Sequence, residues 1–349
     1  MKKKVVLGMS GGVDSSAAAY ILQKKGYEVI GITMTMIPHG ERFNGENDAK
    51  KVSKDLGIPH YLINFREVFE RKVINYFVDE YLIGRTPNPC VACNKFIKFD
   101  EFLREACKLG ADYIATGHYA KIEYDTISDR YLMKRPVDIK KDQTYFLYNM
   151  TQYQLEHTLM PLGEYTKGEV REIAERIGLN IYNKPDSEEI CFIPDDDHGR
   201  FIKDRVPDKV NPGKFIDKDG NILGEHKGIA YYTIGQRRGL GIALGKRVFV
   251  QKIIPEKNLI VLGDEKEIFK NRLFADELNI ISYEKLPSRL EVTAKVRYSM
   301  KESKALIMPN GNGVMVEFEE PQRAITKGQS IVFYDGEMVI GGGIIKDVY

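Results

Sequence analysis

Hydrophobic and polar positions follow two alternating periods along the first part of the chain. Short apolar runs at Val5–Met9, Val29–Met34 and Tyr61–Phe65 predict buried strands. Between them, helical patterns over Ser15–Lys25 and Asp48–Leu56 are each closed by a glycine. This alternation of strands and helices predicts a parallel sheet with helices packed on its faces.

The same region continues with two longer helical patterns and another buried strand. The helical patterns cover Glu67–Leu82 and Lys95–Leu109, and the strand covers Tyr113–Thr116. Thr166-Lys167-Gly168-Glu169 has the form of a capping box, so a further helix should begin there and end at Gly178. These elements complete an α/β domain.

The pattern changes after Pro194. The acidic stretch Asp195-Asp196-Asp197 is predicted to be a hinge, and the short alternating runs beyond it predict β structure. The regular alternation of Leu290–Arg297 places one face of a strand in a core, which favours a small C-terminal β-barrel. Asp217–Asn221 resembles a calcium loop without its remaining ligands, so a hairpin turn is predicted instead. The expected domains are 1–195, 196–264 and 265–349.

Composition narrows the class of protein. A chain of 349 residues with 43% hydrophobic content has enough apolar surface for two or three cores. No apolar run approaches the length of a membrane span and the N-terminus has no signal-peptide pattern, so we expect a cytoplasmic protein without a membrane partner. Four cysteines are too few for a secreted disulfide scaffold, which leaves free thiols, metal ligands or catalysts.

Charge is distributed unevenly along the chain. Residues 200–257 carry 13 Lys and Arg against 6 Asp and Glu, although the whole chain has a net charge of only +2. Arg237 and Arg238 follow two tyrosines in this segment, a composition that suits phosphate neutralisation beside stacking surfaces. A solvated basic face is the alternative interpretation.

The most specific motif is Ser10-Gly11-Gly12-Val13-Asp14-Ser15, between the first strand and the first helix. Backbone N–H groups and the helix dipole favour an anion at such a place, and glycines let phosphate oxygens come close. The motif is not a Walker loop, because the Lys-Ser/Thr pair is missing. Met34 and Gly117-His118 follow other strands at the same sheet edge and are candidate adenosine contacts, although Met34 suits a core equally well.

The cysteines differ in their settings. Cys93 is predicted to stand just before a helix, beside Asn94 and Lys95, which should lower its thiol pKa and make it a nucleophile. Cys191 comes just before the predicted hinge. Cys107 lies in the apolar pattern of a helix and is expected to be an inert core residue.

Several separated strings resemble one known family. They are Ser10–Ser15, Gly84–Pro89, Cys93–Lys95, Ala115–Ala120, Lys141–Leu147, Cys191–Ile193, Tyr232–Gly241 and Gly341–Gly343. In all of them the chain is similar to the tRNA-specific 2-thiouridylases, N-type ATP pyrophosphatases that place sulfur on the wobble uridine of tRNA. The resemblance implies a catalytic pyrophosphatase domain, a small central β-rich domain and a C-terminal β-barrel that contacts tRNA.

The resemblance also implies ligands and residue roles. ATP, Mg²⁺ and tRNA are expected ligands, and the sulfur donor is expected to be a protein such as a cysteine desulfurase or sulfur-relay protein. Cys191 would carry sulfur as a persulfide and Cys93 would be the nucleophile, leaving a Cys93–Cys191 disulfide. The implied ATP-binding residues are Gly8, Met9, Ser10, Gly11, Gly12, Val13, Asp14, Ser15, Met34 and Gly117. The expected contacts to tRNA or its target base are Asn88, Pro89, Cys90, His118, Lys141, Asp142, Gln143, Arg297, Tyr298, Gln329, Arg237 and Arg238.

Cys90 departs from the family pattern, since many relatives have an aspartate there. With Cys90, Cys93 and Cys191, the chain offers three thiolates, so a 4Fe-4S cluster is an alternative to persulfide chemistry. A structural zinc site is a third interpretation, weakened by the lack of a close fourth ligand. Outside this family, the loop also suits an amide-forming ATP pyrophosphatase or an RNA-binding scaffold with a degenerate nucleotide fold.

Overall fold

A computed structural model of the chain describes residues 2–37, 45–178 and 190–349. Its α-helices are α1 Val13–Lys24, α2 Gly45–Asp55, α3 Arg66–Phe69, α4 Asn75–Leu82, α5 Pro89–Cys93, α6 Phe102–Lys108, α7 Gln152–Glu156, α8 Lys167–Arg176 and α9 His198–Arg205. π-Helical segments at Glu70–Ile74 and Asn94–Glu101 make α3 continuous with α4, and α5 continuous with α6. No helix within these ranges is long and apolar enough to cross a membrane.

The strands are β1 Lys4–Gly8, β2 Glu28–Thr35, β3 His60–Asn64, β4 Tyr113–Ala115, β5 Lys121–Asp125, β6 Arg130–Lys134, β7 Thr158–Leu159, β8 Gly213–Ile216, β9 Ile222–His226, β10 Phe249–Ile254, β11 Leu259–Gly263, β12 Phe269–Ile280, β13 Leu290–Lys295, β14 Ser303–Asn310, β15 Gly313–Arg323, β16 Ser330–Asp335 and β17 Met338–Val348. Short 3-10 turns lie at Ile139–Lys141, Thr144–Phe146, Pro207–Lys209, Ile229–Tyr231, Pro255–Lys257 and Glu265–Ile268. The described elements form three sheets.

The first sheet has the order β3-β2-β1-β4-β7, and its pairings are parallel. Val5 and Leu7 of β1 belong to one buried cluster, whereas Val6 between them belongs to another. Alternate side chains therefore fill a core on each face of the sheet. Strand β1 has β2 on one side and β4 on the other, so the strand order reverses direction at β1. The carboxyl ends of β1 and β4 therefore form the switch point where such sheets bind ligands. The predicted α/β domain is confirmed.

Helix α8 lies beside α1 on one face of this sheet. Val170 and Ala174 of α8 join the same core as Ala17 and Ala18 of α1. The predicted capping box is present, because the Thr166 hydroxyl and the Glu169 carboxylate each accept the other residue's backbone N–H. The first residue of α8 is thereby fixed next to the start of α1.

The segment after Pro194 contains a helix, so the prediction of β structure directly beyond the acidic stretch is wrong there. The Asp197 carboxylate accepts the N–H of Arg200 and caps α9, while Asp195 pairs with the Arg200 guanidinium at 2.6 Å. The acidic residues thus stabilise the start of α9 and do not form a hinge alone. The β structure follows as a four-stranded sheet of order β10-β11-β8-β9. Its Asp217–Asn221 segment is the predicted tight turn, with the Asp217 carboxylate accepting two backbone N–H groups.

The third sheet closes into a barrel of six strands, since β12 pairs with both β15 and β17. Val292 and Ala294 of β13 point into its core, as the alternation predicts. The sheet also receives the β5–β6 hairpin of the first domain, through pairing of Lys134 with Met338. The C-terminal barrel is confirmed, whereas the boundaries 1–195, 196–264 and 265–349 stay predictions.

Arg135 fastens this hairpin to the barrel. Its guanidinium lies 3.1 Å from the Asp142 carboxylate, 2.6 Å from the Glu302 carboxylate and 4.1 Å from the ring centre of Tyr334, and it donates to the Gly336 carbonyl at 3.2 Å. Arg135 is only 8% exposed. A buried cation with this many partners is costly to remove, because the carboxylates lose their counter-charge.

We expect Arg135→Met to lower the free energy of unfolding by about 3 kcal/mol. The matched control is Arg104→Met, whose guanidinium is exposed beside Asp100 and Glu101 on a helix surface and should change stability by less than about 1 kcal/mol. Urea denaturation followed by circular dichroism measures both. Equal destabilisation by the two variants would contradict the importance of this interface.

Candidate active site

The phosphate-loop motif connects β1 with α1 at the switch point. Gly11 has φ 72°, and a Cβ atom added to it would lie 2.3 Å from the Gly45 carbonyl oxygen, so only glycine fits this turn. Gly12 is the N-cap of α1, and within the described ranges no side chain caps this helix. The N–H groups of its first turn are therefore directed to the loop mouth, where they favour an anion.

Two hydroxyl groups line this turn. The Ser15 hydroxyl accepts the Ser10 backbone N–H at 3.2 Å, lies 3.4 Å from the Ser10 hydroxyl and donates to the Gly12 carbonyl at 3.2 Å. Ser15 is buried and Ser10 is exposed. Ser15 thus shapes the loop, while Ser10 is open to a ligand.

Asp14 is held by two residues that the sequence motif does not contain. The Lys167 ammonium lies 2.8 Å from each oxygen of the Asp14 carboxylate, and the Tyr119 hydroxyl donates to one of them at 2.8 Å. Sequence reasoning missed both partners. The available signals were the Lys167 position in the capping box and the Tyr119 position directly after Gly117-His118.

The adenosine-contact candidates lie beside the loop. A Cβ atom added to Gly117 would lie 2.9 Å from the Ser15 nitrogen, which shows how closely β4's end approaches α1. A Cβ atom added to Gly8 would lie 3.2 Å from the Met34 methyl group, so Met34 packs against the end of β1. Met9 is buried with its sulfur 3.4 Å from the Ser53 hydroxyl, whereas Val13 is buried at the start of α1. The structure therefore brings the loop, Met34 and Gly117 together.

His118 is buried and neutral. Its Nδ1 lies 2.8 Å from the Thr116 hydroxyl and its Nε2 lies 3.5 Å from the Lys98 ammonium. Because an ammonium group only donates, Nε2 is assigned as acceptor and Nδ1 as the protonated nitrogen. Burial, reinforced by the charge of Lys98, holds the pKa of His118 well below its usual range.

The helix that carries the thiols begins earlier than predicted. The Asn88 side chain caps it by accepting the N–H groups of Cys90 and Val91, and Pro89 occupies its first position. Cys93 is thus the last residue of α5, inside a continuous helix, and not at a helix start. It receives no stabilisation from a helix N-terminus.

Desolvation of the sulfur raises the thiol pKa of all three candidate cysteines, although Cys90 and Cys191 are exposed as whole residues. The pKa of Cys93 is raised to about 11, and that of Cys191 to about 12, with the charges of Cys93 and Cys90 contributing to the latter. Partial desolvation also raises the pKa of Cys90. The predicted lowering of the Cys93 pKa is therefore wrong. The mutual effects of the thiols place Cys90, Cys93 and Cys191 in one neighbourhood.

Lys98 is the cation that acts on this neighbourhood. Its charge lowers the pKa of Cys90, Cys93 and Cys191, against the larger effect of desolvation. Lys98 follows Cys93 by five positions, a spacing that on an α-helix would place the two side chains on different faces. The π-helical segment Asn94–Glu101, with i→i+5 bonding, returns it toward the same face. Lys95, the lysine suggested by the sequence, lies over the Phe96 ring instead.

Phe192 anchors the segment that carries Cys191. Its ring lies 5.4 Å from Phe77 and 5.9 Å from Phe69, inside the large core cluster. Cys191 itself is exposed, while Cys93 is 8% exposed and contacts the Met36 sulfur at 4.0 Å. The Ser187–Glu189 stretch, which the sequence analysis grouped with Cys191, lies outside the described residues.

The cysteines do not form a metal-ligand set in the parts of the chain that the structure describes. There, no three His, Cys, Asp or Glu side chains have an arrangement suited to a metal ion. This finding concerns a single ion, whose ligands lie closer together than those of a cluster, so a 4Fe-4S cluster on Cys90, Cys93 and Cys191 stays an alternative and no step is derived through it. Cys107 is exposed, so its prediction as a core residue is wrong.

The expected tRNA contacts fall into several places. Asp142 is buried between Arg135 and Thr144, and Gln143 uses its side-chain oxygen to accept the Tyr119 N–H at 2.9 Å. Lys141 is half-buried beside them. This loop is therefore part of the same hydrogen-bonded structure as the phosphate loop.

The expected contacts on the barrel are of two kinds. Tyr298 is 40% exposed and lies 4.4 Å from the Phe146 ring, which gives an open aromatic surface. The Arg297 guanidinium instead donates to the carbonyls of Ile234 and Ala324, and burial lowers its pKa.

Gln329 and the arginine pair complete the expected contacts. The Gln329 amide donates to the carbonyls of Thr86 and Pro87, immediately before the cysteine helix, while Arg237 and Arg238 are exposed in the central segment.

A phosphate loop lies at the switch point of a parallel sheet, and Cys93 contacts Met36 just beyond the end of the neighbouring strand β2. This arrangement defines a nucleotide-using enzyme of the HUP class. Residues 3–195 match the tRNA methyl transferase HUP domain family, residues 199–264 the tRNA methyl transferase PRC-barrel domain and residues 270–345 the Aminomethyltransferase beta-barrel domain. The tRNA-specific 2-thiouridylase MnmA of Clostridium acetobutylicum is 57% identical, over 99% of this chain and 100% of that protein. The chain belongs to the family of tRNA-specific 2-thiouridylases.

A second relative supports this membership. The tRNA-specific 2-thiouridylase MnmA 1 of Clostridium botulinum strain Hall is 58% identical, over 99% of this chain and 100% of that protein. Among solved structures, the U34-tRNA thiolase NcsA from Methanococcus maripaludis with its 4Fe-4S cluster aligns with 59% of this chain and 66% of that chain, at 22% identity and a TM-score of 0.37. A 4-thiouridine synthetase–RNA complex with bound ATP aligns with 59% of this chain and 51% of that chain, at 18% identity and a TM-score of 0.39.

We expect Lys98→Met to slow alkylation of the exposed Cys191 thiol by iodoacetamide severalfold at neutral pH, because a charge that favours the thiolate is lost. Since the pKa of Cys191 is raised to about 12, the wild-type rate should keep rising with pH, without a plateau below about pH 10. Lys95→Met is the matched control and should leave the rate unchanged. Peptide mass spectrometry measures the rate of alkylation. A larger effect of Lys95→Met than of Lys98→Met would support the sequence-based prediction that Lys95 is the lysine that lowers a thiol pKa.

Proposed function

We propose that this protein catalyses the ATP-dependent 2-thiolation of the wobble uridine of tRNA, releasing AMP and pyrophosphate. The observation that carries the proposal is the arrangement of the phosphate loop and the cysteine pair at one edge of one sheet. Gly117 packs against Ser15, His118 follows it, and His118 lies beside Lys98, whose charge acts on Cys93 and Cys191. The residues proposed for activation by ATP and for attack by sulfur are thus connected through His118 and Lys98.

In the first step the uracil O2 attacks the α-phosphorus of ATP, and pyrophosphate leaves. The N–H groups at the start of α1 and the Ser10 hydroxyl bind the departing phosphates. The Asp14 carboxylate and the Ser10 hydroxyl would hold Mg²⁺, which would neutralise phosphate charge when bound. Adenylation turns O2 into part of a good leaving group, AMP.

In the second step sulfur replaces AMP at C2. The Cys93 thiolate attacks the inner sulfur of a Cys191 persulfide, which forms a Cys93–Cys191 disulfide and releases hydrosulfide. The hydrosulfide attacks C2 and AMP leaves, and two thiol equivalents then reduce the disulfide. Cys191 is exposed, which suits loading by a cysteine desulfurase or a sulfur-relay protein. We place the reaction in the cytoplasm, with its substrate tRNA.

The tRNA is proposed to reach the site from the barrel side. Asn88, Pro89 and Cys90 would receive the flipped uracil next to Cys93. Tyr298 and the Lys141–Gln143 loop offer an aromatic surface and polar groups, and Arg237 with Arg238 offers phosphate contacts. Contact of tRNA with His118, Arg297 and Gln329 stays a prediction, since their polar groups bond to protein in this structure.

We expect Asp14→Asn to abolish tRNA-dependent pyrophosphate release while tRNA affinity stays within about twofold, because Asp14 lies at the phosphate loop and not on the basic surface. The isosteric amide keeps the side-chain volume, so the fold should survive. Pyrophosphate release and filter binding of tRNA measure the two properties. Pyrophosphate release by the wild type that does not depend on tRNA would contradict the proposed substrate.

The cysteines separate persulfide chemistry from the cluster interpretation. In single-turnover thiolation without oxygen, Cys93→Ser and Cys191→Ser should lose activity, whereas Cys90→Ser should keep part of it. Cys107→Ser is the matched control, since Cys107 is exposed outside the site, and it should retain full activity.

Thionucleoside analysis measures all four variants. Loss at Cys90 equal to that at Cys93, together with bound iron, would favour a cluster. Full turnover of Cys191→Ser with sulfide would refute the persulfide at Cys191.

A further inference from the structure

Two of the three candidate cysteines stand on one helix as a Cys-x-x-Cys pair. Cys90 is the second residue of α5 and Cys93 is the last, so three positions separate them. Residues three positions apart on a helix lie side by side on its surface. Cys90 is exposed, whereas Cys93 is buried in the core cluster that also contains Phe192, the neighbour of Cys191. The pair thus has one member at the surface and one member beside the segment that carries the third thiol.

The proposed thiolation requires a later reduction step. It leaves a Cys93–Cys191 disulfide, which must open before Cys191 can carry sulfur again. An external thiol that attacked the Cys191 sulfur would leave Cys191 in a mixed disulfide, whereas attack on the Cys93 sulfur frees Cys191 directly. We propose that Cys90 is the resolving thiol, which attacks the Cys93 sulfur, forms a Cys90–Cys93 disulfide and releases Cys191. This inference rests on the proposed persulfide chemistry.

The exchange balances without an added oxidant. The Cys90 thiol gives its proton to solvent, its sulfur bonds to the Cys93 sulfur, and Cys191 leaves as a thiolate that takes up a proton. One disulfide is broken and one is formed. A dithiol reductant then attacks the Cys90 sulfur of the new disulfide, and its two electrons return Cys90 and Cys93 to thiols. The reductant itself becomes a disulfide.

The geometry at the start of α5 permits the new bond. Cβ atoms three positions apart on a helix are about 5–6 Å apart, and a disulfide needs about 3.5–4.5 Å. Cys90 is the residue that can move, because its backbone N–H is bonded to the Asn88 side chain at 3.1 Å and not to a helical carbonyl. The first turn can therefore tilt toward Cys93 without breaking a hydrogen bond donated within the helix.

The third thiol lies close to both members of the pair. Desolvation is the largest cause of the raised pKa of Cys191, and the charges of Cys93 and Cys90 add to it. The charge of Cys90 also contributes to the raised pKa of Cys93. Because such charge effects weaken with distance, the three sulfur atoms share one neighbourhood. The Cys93 sulfur can therefore exchange Cys191 for Cys90 without a residue from elsewhere.

The simpler interpretation is that Cys90 only lines the pocket for the target base. An external reductant would then open the Cys93–Cys191 disulfide itself. The two interpretations leave different bonds after one turnover without a reductant. A resolving Cys90 leaves a Cys90–Cys93 disulfide, whereas a Cys90 that only lines the pocket leaves the Cys93–Cys191 disulfide in place.

Disulfide mapping after a single turnover tests the proposal. The full-length protein is loaded with sulfur by a cysteine desulfurase and cysteine, separated from both, and mixed with tRNA and ATP without oxygen or reductant. After an acid quench and treatment with N-ethylmaleimide, we expect a Cys90–Cys93 disulfide and an alkylated Cys191 in the wild type. Cys90→Ser should keep the Cys93–Cys191 disulfide. Peptide mass spectrometry without reduction measures both.

Steady-state thiolation with the desulfurase, cysteine and dithiothreitol is the second measurement. The steady-state rate of each variant is divided by its own single-turnover rate, which removes any effect of Cys90 on base binding. This ratio should fall about tenfold or more in Cys90→Ser and in Cys90→Asp, because an intramolecular thiol acts at a high effective concentration. Cys107→Ser is the matched control and should keep the wild-type ratio, since Cys107 is exposed outside the site.

A wild type that ends with a Cys93–Cys191 disulfide and an alkylated Cys90 would overturn the proposal. So would an unchanged ratio in Cys90→Ser, or iron bound by the three thiols in protein purified without oxygen. If Cys90→Ser does not fold, the disulfide map of the wild type decides alone. Thiolated tRNA formed with all three cysteines alkylated would contradict the persulfide chemistry itself, and a wild type that forms no thiolated tRNA would contradict the proposed function, which separates these failures from the first.

Discussion

The close approach of Gly117 to the first turn of α1 sets the distance between the two halves of the site. A single methyl group at this position would lie 2.9 Å from the Ser15 nitrogen and 3.0 Å from the Asp14 carbonyl carbon. Parallel pairing of β1 with β4 brings the strand ends together, and the absence of a side chain lets them nearly touch. His118 follows directly, and its Nε2 lies 3.5 Å from the Lys98 ammonium. The phosphate loop is therefore connected to Lys98, whose charge acts on the thiols, through a strand end that only glycine allows so close to α1.

The features that the sequence predicted correctly depend on interactions between residues that are close together in the chain. The strand–helix alternation, the Thr166 capping box, the Asp217 turn and the inward positions Val292 and Ala294 depend on nearby residues, and the structure has all of them. The Asp14 partners arise only when β4 and α8 meet α1, so no local pattern contains them. The thiol setting was misjudged for a related reason: Asn88 starts the helix before Cys93, and the π-helical segment then brings Lys98 in place of Lys95. The β5–β6 hairpin pairs with a strand some two hundred residues away, which periodicity does not reveal.

Desolvation of the thiols has a chemical consequence. A thiolate is the form that attacks and the form that is oxidised, so a raised pKa disfavours reaction of Cys93 and Cys191 at neutral pH. Lys98 opposes this effect without overcoming it. Binding of an anionic substrate near Lys98 would offset the charge of Lys98 and so weaken the stabilisation of a thiolate further.

Two routes of hydrogen bonds and ion pairs join the barrel to the site. Gln329 binds the carbonyls of Thr86 and Pro87, directly before the Asn88 cap of the cysteine helix. On another side, Arg135 joins barrel residues to Asp142, whose neighbour Gln143 binds Tyr119, which in turn binds Asp14. One route of hydrogen bonds ends at the thiols and the other at the phosphate loop. Since both routes start from the barrel, the barrel is connected by hydrogen bonds and ion pairs to both halves of the site.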